Sequence, residues 1–243
     1  MNASRRSALA AGALLIIATV ATVVFGNLVL KPVVGDPVDL AKVDANDGRV
    51  FLGALLNLIG AAACPGIVLA LYPVLRAHSP ALALGAVAFR VIEATFYVAS
   101  VVGLLMLVTL GGEAAKAGAS ESAFFERSAA LVVAGRAWLG FVVAAIFAGV
   151  GTVLYDWVLY RTALVPRWLA GWGIAGATAA VVAAVLAMFG VVAPLSPLHI
   201  ALNLPFAVQE MVLAVWLVAR GFAPAAVVPV PAEASALAGE GAR

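Results

Sequence analysis

Four ionisable side chains stand inside stretches of sequence that are otherwise apolar: Arg90, Glu93, Arg136 and Glu210. A charge at the centre of a membrane helix costs about 2.5–3.5 kcal/mol on insertion scales, so such residues face protein or water and mark a ligand site, a proton site or a structural ion pair. Arg90 and Glu93 are three residues apart and share a helical face, with Tyr97 one turn further along it. In the last apolar stretch His199, Asn203 and Glu210 fall within about 40° of one another at 100° per residue, which makes a polar stripe on an apolar helix. Asn57, with Gly60 and Cys64 beside it, is a weaker addition. Arginines in such a set can bind an anionic group while Glu93 or Glu210 exchanges a proton. The same residues can equally do no more than fix helix register, and both readings stay open at this point.

The four charges sum to zero, as a low-dielectric interior requires if none is to stay uncompensated. Counted at 1.5 Å per residue they lie at similar heights, about 12–20 Å from the membrane side that holds the N-terminus. Matching heights predict one neutral cluster with Arg90 paired to Glu210 and Arg136 to Glu93. Tyr97 and Asn203 are then expected to line an approach from the opposite side, with the cluster at the base of a polar cavity among the third, fourth and sixth spans.

The elements that must position these residues follow from composition. Of 243 residues, 65% are hydrophobic and 11% charged, against about 45–50% and 25% in soluble domains. That describes a membrane protein. Apolar stretches long enough to cross about 30 Å of hydrocarbon occur six times, over 8–30, 50–75, 81–110, 128–160, 168–189 and 198–219. They are rich in Ala, Leu and Val, lack period-two alternation and exceed the roughly ten residues of a barrel strand. The fold class is therefore all-α, a polytopic membrane protein with a six-transmembrane-helix bundle. The third and fourth stretches are long enough to tilt or to project beyond the bilayer.

Loop charges set the orientation. Segments 1–7, 76–80 and 161–167 hold five basic residues in 19, whereas 31–49, 111–127 and 191–197 hold five in 43. The denser set belongs in the cytoplasm, which places both termini there. Tyr155, Trp157, Tyr160, Trp168, Trp172 and Trp216 then form an aromatic belt at the cytoplasmic boundary. Ser4-Arg5-Arg6-Ser7 has a faint likeness to a twin-arginine leader, but the apolar run after it is too long for a cleavable core and is expected to stay as a span. The domains are thus 1–7 as a cytoplasmic N-terminus, 8–220 as the six-span transmembrane domain and 221–243 as a disordered Pro/Ala-rich cytoplasmic tail.

Several function classes drop out. A net charge of +2 with no basic cluster gives nucleic acid no footing. Cys64 is the sole cysteine, and His78 and His199 lie too far apart in the chain for a zinc site, so no metal or other cofactor is expected. Gly171-Trp172-Gly173-Ile174-Ala175-Gly176 spells G-x-G-x-x-G, yet it sits inside an apolar helix with no preceding strand, so helix packing is the better reading. Gly171, Ala175, Ala179, Ala183 and Ala187 recur every fourth residue as a smooth groove for another helix. Asp44-Ala45-Asn46-Asp47-Gly48 misplaces the glycine of a calcium loop. Cys64-Pro65-Gly66 should kink or interrupt the second span.

Leu71-Tyr72-Pro73-Val74-Leu75-Arg76, Phe89-Arg90-Val91-Ile92-Glu93-Ala94, Leu159-Tyr160-Arg161-Thr162 with Val165-Pro166-Arg167-Trp168-Leu169, and Gln209-Glu210 with Trp216-Leu217 and Arg220-Gly221 resemble the bacterial membrane family catalogued as domain of unknown function 4386. The likeness runs from about 8 to 222. It implies a multi-pass protein of the bacterial inner (plasma) membrane and no assigned activity. Three functional readings remain: binding or transport of a small polar or anionic molecule with proton coupling, an accessory protein without a ligand, and an intramembrane enzyme. With no G-x-S-x-G elbow and no H-E-x-x-H pair, the last is reduced to carboxylate chemistry by Glu93 and Glu210. The partners implied are membrane lipids, a small-molecule ligand and, as an open alternative, a second copy of the chain.

Overall fold

Hydrocarbon offers no water to backbone N–H and C=O groups, so an apolar chain must satisfy them within each segment. The computed structural model describes residues 3–224 apart from 36 and 118, and among the described residues every regular element is helical. Six helices are long and apolar enough to cross a membrane: Ala3–Leu30, Asp47–Leu75, Pro80–Lys116, Ser122–Thr162, Arg167–Met188 and Pro197–Ala219, called the first to sixth spans below. They coincide with the six apolar stretches and differ only at the ends. The third and fourth, with 37 and 41 residues, are about 56 and 62 Å long at 1.5 Å per residue and overrun a 30 Å core. The first begins at Ala3, so most of the segment 1–7 is its opening turn. The tail from 225 onward lies outside the described residues.

Local sequence explains the boundaries. Pro80 and Pro197 open the third and sixth spans in the first turn, where a missing N–H costs nothing. The Ser196 side chain accepts a hydrogen bond from the His199 backbone N–H, and Asp39 accepts from Ala41 and Lys42 to start a short loop helix, Leu40–Ala45. The second span runs unbroken through Pro65 and Pro73, so Cys64-Pro65-Gly66 does not interrupt it. Two π-helical stretches, Val20–Gly26 in the first span and Trp138–Val143 in the fourth, have no counterpart in the apolar periodicity.

Each span packs on the next, and the sixth returns to pack on the first, closing a ring. Gly12 makes that closure close: a Cβ there would meet the Ala214 carbonyl oxygen at 2.8 Å. Arg5 donates to the carbonyls of Leu217 (3.1 Å) and Val218 (2.7 Å), using its head to satisfy the last turn of the sixth span. The beginning of the first span and the end of the sixth therefore share one end of the bundle, termed the near end; the opposite end is the far end.

The core divides along this axis. At the near end one cluster draws on all six spans, with Leu15, Leu71, Ala86, Leu159, Leu169 and Leu213 among its members. At the far end the main cluster joins Leu40 and Val43 of the loop helix and Val33 of the turn before it to Val50, Val101, Leu104 and Ala129, so spans two to four and the loop 31–46 contribute its buried members, with Leu30 of the first packed against them. The fifth span buries Gly173, Gly176, Ala177, Ala180, Ala183, Ala184 and Ala187. This corrects the expected groove: Ala175 is exposed and Gly171 and Ala179 are half-buried, because the small-residue surface is divided between two neighbours. Gly149 of the fourth span lies against Ala177, and Gly176 lies against the backbone of Phe206 in the sixth. Trp157, Tyr160 and Trp168 are exposed at the near end, while Tyr155 is fully buried and does not belong to a lipid-facing belt.

Candidate functional site

Arg90 is the centre of the buried polar group. Its Nη1 donates to Glu93 Oε1 (3.2 Å) and Oε2 (3.0 Å), and its Nη2 donates to Glu210 Oε1 (2.7 Å), Thr152 Oγ1 (2.8 Å) and Tyr155 Oη (3.3 Å). Arg90 and Glu93 are each 2% exposed, and the guanidinium carbon stands 5.6 Å from the centre of the Tyr155 ring. Helical geometry brings Glu93 onto Arg90, while the fourth and sixth spans supply the other acceptors. Gly151 gives the arginine stem its room, since a Cβ there would sit 3.3 Å from Arg90 Cγ. Charge-assisted bonds of this kind are the strong ones, and they compensate a guanidinium that could not otherwise leave water.

The Arg90–Glu210 pairing inferred from height is present; the Arg136–Glu93 pairing is not. Arg136 Nε donates to the Ser100 carbonyl (3.0 Å), and Ser100 Oγ donates back to the Arg136 carbonyl (3.3 Å). Its stem lies against Gly103. Among the described residues no carboxylate reaches Arg136, so the neutral four-membered cluster is replaced by one arginine holding two glutamates and a second arginine standing apart. The fourth span begins at Ser122 and not at 128, which shifts heights counted from its end by about 9 Å.

Both groups border one cavity of about 2040 Å³. Arg90, Glu93 and Glu210 lie at its base; Tyr97, Asn57 and Arg136 line it higher up, and Val34, Asp39, Ser122, Glu126 and residues 193–196 are among those around its mouth at the far end. The expected cavity among spans three, four and six is thus larger, with walls from the first and second spans as well. Glu210, with 18% of its side chain exposed, is more open than its partners. Asn57 Nδ2 donates to Gly53 O within its own helix. Asn203 and His199 are not on the cavity wall: Asn203 Nδ2 donates to the His199 carbonyl, and His199 is buried with Nε2 unpartnered.

The sequence pattern singled out neither Thr152 nor Asp156, and it put Tyr155 in the aromatic belt and not in the site. Asp156 is fully buried on the fourth span, and neither of its carboxyl oxygens has a partner. It occupies the space over Gly173 together with Gln209, whose Nε2 donates to Leu169 O (3.3 Å). The second glycine of G-x-G-x-x-G is therefore a seat for two polar side chains of neighbouring helices. A missing Cβ in an apolar helix was the available signal. No group of three His, Cys, Asp or Glu that could hold a metal occurs among the described residues.

The chain matches the family described as Domain of unknown function (DUF4386) over residues 10–221. It belongs to that family. Arg90, Glu93, Arg136 and Glu210 all fall within the matched region, as do both π-helical stretches. No curated protein and no solved structure gives a significant match, so for this DUF4386 protein the chemistry of the cavity carries the functional argument.

Proposed function

We propose that this DUF4386 protein binds a small polar or anionic molecule in the cavity and moves it across the bacterial plasma membrane with exchange of a proton. One observation carries the reading: Arg136 lines the cavity with its Nε fixed on Ser100 and its two Nη groups without a partner among the described residues. A guanidinium positioned at one nitrogen and open at two is a ready receiver for a carboxylate or phosphate. Arg90 is not, since its Nη groups are already taken up by Glu93, Glu210, Thr152 and Tyr155. The proton side belongs to Glu210, the member of the base that water in the cavity can reach. When Glu210 takes a proton, a neutral Arg90–Glu93 pair is left; when it releases one, the base carries a net negative charge. The higher basic density of its loops supports a near end in the cytoplasm, with the cavity mouth outside.

Thermal-shift screening of detergent-purified protein against metabolite anions is the direct test. A ligand should raise the melting temperature of the wild type and of Glu210→Gln and lose its effect in Arg136→Gln. Uptake into proteoliposomes should respond to a pH gradient in the wild type and not in Glu210→Gln. A second reading, an accessory protein whose polar core is structural, draws on the saturation of the Arg90 Nη groups. No shift with any anion, together with full retention of cellular function by Arg136→Gln, would decide for it.

A further inference from the structure

We infer that the ligand is a single-chain amphiphile with one anionic head, carboxylate or phosphate, that reaches Arg136 sideways from the bilayer. This rests on the anion-binding reading above and adds the tail and the route. Three observations converge. The cavity, at about 2040 Å³, is at least about twice the 300–1,000 Å³ typical of small-molecule sites. Its wall is mostly apolar: Leu15, Ile67, Val101, Val133 and Phe141 line it around the few polar groups. A small hydrophilic anion would leave that surface uncovered, whereas an alkyl chain would cover it and gain about 0.8 kcal/mol for every CH₂ it withdraws from water.

The route follows from how the ring closes. Along Ala3–Thr19 the first span packs on the sixth, but its continuation 20–30 packs on the second span with no comparable contact to the sixth. The far half of the fourth span, Ser122–Ala137, packs on the third and has no comparable contact with the fifth, on which the fourth span packs from Trp138 onward, or with the sixth. The far halves of the first four spans, each still packed on the next, thus part from the sixth, and the cavity fills the gap. Val23 and Ala207, one on each edge of the seam between first and sixth spans, both line the cavity and both are exposed. The two π-helical stretches border the same space, through Thr22 and Val23 on one side and Trp138 and Phe141 on the other. π-Helical turns inside α-helices occur frequently at functional sites. Arg136 stands two residues before Trp138, so a head held by its free Nη groups leaves the tail beside that indole.

Trp138 supplies the readout. Full-length protein in phosphatidylcholine nanodiscs is titrated with 9,10-dibromostearate, whose bromines quench nearby tryptophan fluorescence. We expect a saturable component that is absent in Trp138→Phe and that decanoate or decyl phosphate displaces, while acetate and inorganic phosphate do not. Arg136→Gln should weaken the saturable component about tenfold or more, with partial recovery in Arg136→Lys. Ala207→Trp, which narrows the seam without touching Arg136, should slow the approach to saturation. Displacement by acetate as readily as by decanoate would overturn the amphiphile and leave the anion site standing. A saturable component indifferent to Arg136, or none at all in the wild type, would overturn both.

Discussion

The near and far halves of this bundle are made of the same residues and behave differently. Both are built from Ala, Val, Leu and Gly, yet the near half interlocks all six spans around Leu15, Leu71 and Leu159, while the far half holds a cavity of about 2040 Å³. Hydrophobicity does not separate them, since in lipid it offers no drive for helices to associate. Which helices meet does. The near half closes the ring, with Gly12 against the sixth span and Gly173 against Asp156 and Gln209. In the far half Gly60 and Gly111 also lie close to neighbouring backbone, but the first and fourth spans no longer reach the sixth and fifth, each carries a π-helical stretch, and the third and fourth outrun the others. The charged cluster sits at the boundary, where it shuts the packed half and floors the open one.

Removing the floor is the largest break available. Arg90→Leu leaves Glu93 and Glu210 without their common partner and should cost about 3–5 kcal/mol in reversible unfolding. Adding Glu93→Gln and Glu210→Gln should return part of it, and so should the exchange of Arg90→Glu with Glu210→Arg. No loss in the single variant would mean that the cluster holds nothing together. Next in size is the near-half contact at Gly173. Gly173→Ala forces a Cβ into space that Asp156 and Gln209 occupy and should cost about 1–3 kcal/mol. Asp156→Ala should relieve a good part of that penalty in the double variant. Ala183→Leu overpacks a fully buried position in the same range, whereas Ala179→Leu, on a half-buried one, should cost less.

The far half should be tolerant by comparison. Arg136→Gln gives up one bond to Ser100 and little packing, a loss of about 0.5–1.5 kcal/mol in melting experiments, while anion binding disappears. Equal destabilisation by Arg136→Gln and Arg90→Leu would erase the contrast between the halves. Labelling from outside intact cells should reach a cysteine placed at Asn46 and miss one at Ser79, and the reverse pattern would turn the cavity mouth toward the cytoplasm.

The six spans were legible, with ends displaced by up to six residues, because a span needs only about 20 apolar residues and hydropathy reads that directly. The site was legible in part. Arg90 and Glu93 declare themselves by three-residue spacing, and Glu210 by its depth. Arg136 was assigned a carboxylate because neutrality was balanced over four charges, and that sum left out Asp156, which stands among aromatic residues near a helix end. His199 and Asn203 share a stripe with Glu210, but their stretch of the sixth span runs beside the cavity and not along its wall. Spacing within one helix fixes a shared face; it does not say which neighbour that face meets. The π-helical stretches were invisible, since one extra residue in a turn leaves no mark on composition.

The bonds from Arg5 to Leu217 and Val218 span more than 200 positions of the sequence. A ribosome delivers Arg5 more than 200 residues before its acceptors, so the ring stays open at that seam until the sixth span has been made. Each new span can dock on the one before it as it leaves the insertion machinery, but the first waits for the sixth. Until then it is held only by the second, and a protein cut short after the fifth span would present a ribbon of helices with an unclosed edge along its length, an obvious mark for membrane proteases that remove unfinished chains.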